Sequence, residues 1–184
     1  MEAKKIAVIV GSLRKESYNR KLAGVLFSVV PETLKLEFVE IGSLPLYNED
    51  LDINPPAEWQ DFRNKMKTFQ GTIFVTPEYN RSIPAALKNA VDVGSRPYME
   101  NVWSRMPAAI LSASPGATGG FGATHHLRQI LVCVNMAVMP QPEMYIGKVH
   151  GLFDEKGTLT SENTRKLLKD FLIAFETWTG RNGK

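Results

Sequence analysis

The sequence has few of the features that mark secreted, membrane-bound or nucleic-acid-binding proteins. Its 184 residues include one cysteine, Cys133, which excludes an intrachain disulfide and a multi-cysteine metal site. No apolar run is long enough to span a bilayer, and the first residues lack the pattern of a signal peptide. Lysine and arginine are scattered along the chain, which argues against nucleic acid as a partner. We therefore expect a cytoplasmic protein that neither inserts into membranes nor binds nucleic acid.

What remains is the composition of an ordinary globular domain. Hydrophobic residues make up 43% and charged residues 22% of the chain, whose length suits one well-buried core. Cys133 lies in an apolar stretch and is predicted to be buried. The formal net charge of +3 favours small anions such as nucleotide phosphates. His125 and His126 are adjacent on a predicted helix and point in different directions, so we predict no metal site.

Apolar segments and segments of helical periodicity alternate along the chain. The predicted strands cover residues 6–10, 36–41, 72–75, 108–111 and 137–139, and the predicted helices cover residues 19–30, 56–69, 85–93, 123–134 and 160–178. This alternation predicts one α/β domain over residues 1–184, with a frayed tail from residue 180. The predicted architecture is a doubly wound, five-stranded parallel sheet of order 2-1-3-4-5 with helices on both faces.

A ligand site is expected where the winding of such a sheet reverses. That point lies outside the carboxyl ends of the first and third strands, where the loops beginning at Gly11 and Thr76 open on a common crevice. The loop that follows the fourth strand, beginning at Ser112, flanks the same crevice. We therefore expect these three loops to form the functional site.

The first loop, GSLRKESYN at residues 11–19, contains phosphate ligands but neither of the common phosphate-binding motifs. The dinucleotide motif G-x-G-x-x-G and the P-loop both require further glycines. Side chains that bind phosphate are nevertheless present, namely Ser12, Arg14, Ser17 and Asn19. With the free N–H groups at the start of a helix they suit a terminal phosphate, which side chains can surround. The alternative is an ordinary strand–helix turn in which Ser17 or Asn19 caps the helix.

The second loop, TPEYNRSIP at residues 76–84, suits a flat ring with polar edges. Pro77 and Pro84 stiffen the loop, and Tyr79 offers an apolar face. Exposed backbone N–H groups can meet the carbonyl oxygens of such a ring. The alternative is a rigid loop in which the tyrosine and the prolines merely pack.

Taken together, these motifs resemble the flavodoxin-like NAD(P)H-dependent FMN reductase family. The resemblance rests on G-S-L-R-x-x-S-x-N, on T-P-E-Y-N-x-S-x-P and on L-K-N-A, in this order. It covers nearly the whole chain, and the sequence HLRQIL at residues 126–131 further resembles the chromate and quinone reductase branch. The resemblance implies a flavodoxin-like fold, bound FMN and NAD(P)H as co-substrate.

The resemblance also assigns roles to residues of the three loops. The implied ligands of the FMN phosphate are Ser12, Arg14, Ser17 and Asn19. The residues implied to line the isoalloxazine ring, largely through their backbone, are Pro77, Glu78, Tyr79 and Asn80. The residues implied to approach the ring from the third loop are Ser114, Gly116 and Gly119. No side chain is assigned an acid–base role. Tyr79, Asn80 and Arg81 are expected to shape the entry and position ligands, and the resemblance leaves the role of Arg81 open.

The implied reaction has two steps at one face of the flavin, which gives ping-pong kinetics. NAD(P)H reduces the flavin, and a quinone, chromate or another metal oxyanion then takes the electrons. A homodimer or homotetramer is also implied, with Arg128 and Glu143 as an interface pair. Two alternatives are an FMN-binding electron carrier without NAD(P)H oxidation and a nucleotide-binding regulatory domain. Carriers of the flavodoxin type are usually strongly acidic, so the pI near 9.0 and Arg14 favour the reductase.

Overall fold

A parallel sheet with helices on both faces forms the centre of the computed structural model, which describes residues 2–183. Along the chain the elements are β1 (Lys4–Val10), α1 (Tyr18–Ser28), β2 (Leu34–Phe38), α2 (Ala57–Met66), β3 (Gly71–Thr76), α3 (Ala85–Gly94), β4 (Pro107–Ala113), α4 (Phe121–Cys133), β5 (Ala137–Val138), β6 (Met144–Ile146) and α5 (Glu162–Asn182). Short 3-10 turns cover Glu49–Leu51, Tyr98–Glu100 and Val149–Leu152.

The strand order is β2-β1-β3-β4-β5, and each pair of neighbouring strands is parallel. Ile6 of β1 is in register with Leu36 of β2 on one side and with Gly71 of β3 on the other. The predicted order 2-1-3-4-5, with helices on both faces, is therefore confirmed.

The central strands are apolar throughout because helices cover both faces of the sheet. Successive side chains alternate between two clusters: Ile73 packs with Phe171 under α1 and α5, whereas Phe74 packs with Trp103 and Leu127 under α2, α3 and α4. Every residue of β3 and β4 is buried. This sheet holds the carboxyl ends of β1, β3 and β4 in fixed positions.

The fifth position of the sheet differs from the sequence prediction, because two short strands share it. β5 pairs with the start of β4, and β6 pairs with the end of β4. Both lie on the side of β4 that is not paired with β3. Pro140 and Pro142 separate the two strands and interrupt the ladder, since proline has no N–H to donate. The sequence predicts only the first of them, because β6 has three residues and shows no periodicity.

Two smaller expectations also differ from the structure. Helix α5 continues to Asn182, so residues 180–182 are helical rather than frayed, while Lys184 lies outside the described residues. Cys133 is exposed at the end of α4 rather than buried, because the apolar stretch around it belongs to an amphipathic helix.

None of the helices in residues 2–183 is long and apolar enough to cross a bilayer. The same residues contain no group of three or more His, Cys, Asp or Glu side chains placed to hold a metal ion.

Gly94 at the end of α3 offers a test of the packing under the sheet. A Cβ atom on Gly94 would lie 2.5 Å from Nε1 of the fully buried Trp103, which donates to Val91 O. We predict that Gly94→Ala lowers the free energy of unfolding by about 1–3 kcal/mol, because the indole has no room to move. Urea denaturation measures this change.

The matched control is Gly24→Ala in α1, where the added Cβ would have no described atom within 4 Å other than its chain neighbours and the backbone of its own helix. This variant should be about as stable as the wild type or more stable by up to about 1 kcal/mol, since alanine favours a helix. Equal stability of the two variants would contradict the packing account.

Candidate functional site

Three loops meet at the carboxyl ends of β1, β3 and β4 and enclose a cavity of about 110 Å³. Its lining residues are Ser12, Arg14, Ser17, Tyr18, Asn19, Pro77, Glu78, Tyr79, Ala113, Ser114, Pro115 and Val149. This is the crevice that the sheet order predicts.

Most of the predicted site residues line this cavity, and three do not. Those in the lining are Ser12, Arg14, Ser17, Asn19, Pro77, Glu78, Tyr79 and Ser114, whereas Asn80, Gly116 and Gly119 lie outside it. The sequence prediction missed Tyr18, Ala113 and Pro115, which are neighbours of predicted residues. It also missed Val149, which follows the unpredicted strand β6 and shows no signal in the sequence.

The first loop presents a series of free backbone donors to this region. Across residues 2–183, the backbone N–H groups of residues 12–19 have no protein acceptor. Ser17 is the N-cap of α1, and its Oγ accepts from the N–H of Arg20 at 3.2 Å. The capping alternative is therefore correct for Ser17, whose hydroxyl proton is still free to donate. Free N–H groups beside a helix start and Arg14 make an anion-binding site.

Asn19 joins the first loop to the end of β4. The residue is 4% exposed, and its Nδ2 donates to Ala113 O at 3.1 Å. Its Oδ1 is buried and has no partner among the described residues. A buried acceptor without a donor is costly in water-free surroundings. This atom therefore suits a ligand that carries hydroxyl groups.

Gly11 brings the first two loops together rather than making room for a phosphate. A Cβ atom at this position would lie 3.2 Å from Leu87 Cδ2 and 3.2 Å from Thr76 Oγ1. Its N–H donates to Val75 O at 2.9 Å. A side chain here would push β1 away from the loop that follows β3.

The second loop contains a tight turn at residues 79–82. Tyr79 and Ser82 exchange two backbone hydrogen bonds of 2.9 Å, and the residues between them, Asn80 and Arg81, have φ values of 50° and 66°. Two successive left-handed residues form a type I′ turn, in which asparagine is favoured. Asn80 is exposed in this turn, and its role in the structure is to adopt the left-handed backbone conformation that the turn requires.

Glu78 attaches this loop to the start of α4. One carboxylate oxygen, Oε2, accepts from the N–H of Ala123 at 3.1 Å, and the other pairs with Arg81 Nη1 at 3.2 Å. Helix α4 has Gly120 as its N-cap and no side-chain cap of its own. Glu78 therefore supplies the acceptor and the negative charge that a helix start favours. A contact between Ser82 Oγ and His126 Nδ1 at 2.8 Å adds a second attachment.

The third loop packs against β6, and this packing explains its glycines. Gly119 has a φ of 62°, and a Cβ atom there would lie 2.7 Å from the carbonyl carbon of Tyr145. The N–H of Lys148 donates to Gly116 O at 3.1 Å, and the N–H of Ser114 donates to Ile146 O at 3.1 Å. Gly116 and Gly119 therefore pack against the backbone of residues 145–148, and their approach to a flavin stays a prediction.

An aromatic group lies where the start of α4 meets β6. The ring of Phe121 is 4.3 Å from that of His125 and 5.5 Å from that of Tyr145, between centroids. The Tyr145 hydroxyl lies 3.2 Å from His125 Nε2. Burial, together with the nearby Glu143 carboxylate, raises the pKa of Tyr145 to about 12. The phenol is therefore neutral at physiological pH and can donate to the imidazole.

Arg128 and Glu143, the expected interface pair, face each other within one chain, and their role at a subunit interface stays a prediction. Arg128 Nη2 is 3.8 Å from Glu143 Oε1, and Arg128 Nη1 donates to Met139 O at 3.0 Å. Arg128 therefore ties α4 to the segment between β5 and β6. Its role in this structure is to hold the edge of the sheet.

The fold and the crevice define the class of the protein. A parallel sheet of order 2-1-3-4-5, with a ligand crevice between its first and third strands, is the flavodoxin-like architecture. Within this class, residues 4–151 match the family described as NADPH-dependent FMN reductase. The chain belongs to this family, whose cofactor is FMN and whose co-substrate is NAD(P)H.

Several relatives align over almost the whole chain. A quinone reductase from Pseudomonas putida is 52% identical over 178 residues, which are 96% of this chain and 95% of that protein. A 2-hydroxy-1,4-benzoquinone reductase from Burkholderia sp. is 44% identical over 176 residues, 96% of each chain. The structure of the flavoenzyme NAD(P)H:(acceptor) oxidoreductase FerB from Paracoccus denitrificans matches with a TM-score of 0.92 and 38% identity, covering 99% of this chain and 100% of that one. The family resemblance in the motifs is confirmed.

The residues of the cavity fit FMN. The free N–H groups of residues 12–19 and the guanidinium of Arg14 suit its terminal phosphate. The unpaired Oδ1 of Asn19 suits a hydroxyl of its ribityl chain. Pro77 and the half-exposed Tyr79 offer apolar surface for its ring.

The attachment of the second loop to α4 is testable without any ligand. Glu78→Ala leaves the Ala123 N–H without its acceptor, and we expect it to lower the free energy of unfolding of the apoprotein by about 0.5–2 kcal/mol. Glu78→Gln retains an acceptor oxygen and should restore most of this stability. Urea denaturation of the three apoproteins measures the effect, and equal stability of the wild type and Glu78→Ala would show that the carboxylate does not cap α4.

Proposed function

We propose that this protein is an FMN-dependent NAD(P)H:quinone oxidoreductase. The observation that carries the proposal is the convergence of two different surfaces on one cavity. The first loop contributes Ser12, Arg14 and Ser17 to the lining, next to free backbone N–H groups at the start of α1, and Pro77 with Tyr79 contributes apolar surface. FMN has an anionic end and a flat ring, and the names of the relatives point to quinones as acceptors.

In this proposal the three loops divide the cofactor between them. Ser12, Arg14 and Ser17 hold the phosphate end, Asn19 accepts from a hydroxyl of the ribityl chain, and Pro77, Glu78, Tyr79 and Ser114 hold the ring end. Charge-assisted hydrogen bonds of about 1.5–3 kcal/mol each make the phosphate end the main source of affinity. Asn19 holds the first and third loops together, so the two ends of the cavity keep a fixed spacing.

Bound FMN supplies the two-electron chemistry, first with NAD(P)H and then with the acceptor. The chain contributes orientation and electrostatics, and we assign no side chain an acid–base role. Tyr79 is 44% exposed, so the edge of the cavity beside it is open to both substrates in turn. Sharing one opening makes the kinetics ping-pong.

The proposal extends to chromate and to subunit assembly. A strongly oxidising anion takes electrons from an accessible flavin, and the formal net charge of +3 favours its approach. A homodimer, or a homotetramer built from it, would bury the exposed apolar side chains Leu46 and Ile53, which are 76% and 89% exposed in the single chain. Sedimentation of the purified protein distinguishes these assemblies.

Steady-state kinetics test the proposed reaction. We expect initial rates with varied NADPH and a quinone to give parallel double-reciprocal lines, with NADPH loss above that of free FMN at the same concentration. Intersecting lines would contradict the shared opening. NADPH loss no faster than that of the free-flavin control would instead favour an electron carrier.

Arg14 offers a test of the phosphate end. We predict that Arg14→Ala raises the dissociation constant for FMN about tenfold or more, because it removes a charged partner of the phosphate. Riboflavin, which lacks the phosphate, should bind both proteins equally. Calorimetric titration of the apoproteins measures both ligands.

The control is Lys15→Ala, which removes a positive charge from the neighbouring exposed position outside the cavity lining. This variant should change FMN affinity by less than about threefold, since exposed charges are screened. If Lys15→Ala weakens FMN binding as much as Arg14→Ala does, the phosphate contact is not at Arg14.

A further inference from the structure

Arg81 adopts a backbone conformation that a large side chain rarely takes. Its φ is 66°, in the left-handed region, within the type I′ turn of residues 79–82. This conformation is unfavourable for a residue with a Cβ atom, whereas glycine adopts it freely. A strained residue beside a ligand cavity indicates a task for its side chain.

The backbone of Arg81 is fixed while its side chain extends outward. Its carbonyl oxygen lies 3.2 Å from the position that a Cβ atom on Gly122 would take, so it packs on the first turn of α4. The Ser82–His126 contact holds the end of the turn. The side chain of Arg81 is nevertheless 82% exposed. The turn therefore fixes the backbone of Arg81 while its guanidinium extends into solvent.

The ion pair with Glu78 leaves most of this guanidinium free. It uses Nη1 of Arg81 and Oε1 of Glu78 at 3.2 Å, and the second oxygen of that carboxylate accepts from Ala123 N–H. Arginine has five N–H donors, so the outer part of its fork has no partner in this pair. The Arg81 end of this pair is exposed to solvent, which weakens the pair and lets the guanidinium exchange partners.

Arg81 lies beside the cavity, where its guanidinium can contact a charged group of a ligand that stays outside the cavity. Tyr79, two residues earlier, lines the cavity, and Arg14 of the first loop lines the same cavity. We propose that Arg81 binds a phosphate group of the dinucleotide co-substrate while the nicotinamide enters beside Tyr79. The guanidinium fork matches phosphate geometry, and the inference rests on the proposed reductase function.

The test compares hydride donors with and without phosphates. For Arg81→Ala holoenzyme we expect kcat/KM for NADPH to fall about tenfold, mainly through KM. N-benzyl-dihydronicotinamide, which has no phosphate, should keep its wild-type kcat/KM. A loss confined to NADPH places the contact at the 2′-phosphate, and an equal loss with NADH places it at the pyrophosphate; both results support the proposal.

Arg105→Ala is a closely matched control. Arg105 is also exposed and also left-handed, with a φ of 61°, but it lies at the opposite end of β4 from the cavity. This variant should leave the kinetics with all three donors unchanged. Arg81→Gly should be more stable than the wild type, because it relieves the backbone, and yet show the same loss with NADPH. Arg81→Lys should lie between the wild type and Arg81→Ala.

A binding measurement accompanies the kinetics. The dissociation constant of NADP⁺ for the oxidised holoenzyme, measured by calorimetry, should rise about tenfold in Arg81→Ala, and the difference should shrink at high salt. An equal loss with the phosphate-free donor, or unchanged NADPH kinetics with unchanged NADP⁺ affinity, would overturn the proposal. A wild-type protein that oxidises none of the three donors would contradict the reductase function itself.

Discussion

The divergence of two helices from neighbouring strands is the constraint on which the site depends. β1 and β3 lie side by side, but α1 packs on one face of the sheet and α3 on the other. The loops that lead to these helices must therefore separate, and a crevice opens between them. Gly11 keeps the two loops in contact at their base, where a side chain would collide with Leu87 and Thr76. The cavity exists because β1 and β3 are paired with each other while the loops that follow them diverge to opposite faces of the sheet.

Many motif residues hold the loops in place, which leaves few side chains for a ligand. Ser17 caps α1, Asn19 bridges to Ala113, and Glu78 caps α4. Gly119 lets the third loop approach β6. The lining that stays available to a ligand includes the side chains of Arg14 and Tyr79, and the N–H groups of the first loop have no protein acceptor in residues 2–183. Such a site recognises an anionic end and a flat ring by shape and dipoles, and leaves the redox chemistry to the cofactor.

Local sequence patterns were sufficient to predict five strands, the five main helices and the position of the crevice. Burial on both faces of the sheet and helical periodicity are both visible in short segments of the sequence. The features that could not be predicted from the sequence depend on contacts between residues that are distant along the chain. Nothing near Glu78 in the sequence indicates that its carboxylate meets Ala123, 45 positions away. Likewise, β6 becomes a strand only because the end of β4 has a free edge. Val149 lines the cavity for the same reason, as it follows β6.

The central claim is that this crevice holds FMN so that NAD(P)H can reduce it directly. The most direct measurement is the visible spectrum of the purified protein, reconstituted with FMN, before and after anaerobic addition of NADPH. We predict flavin bands that bleach rapidly and return when a quinone is added. Bands that persist would contradict direct reduction, and a protein that takes up no FMN would contradict the assignment of the first loop.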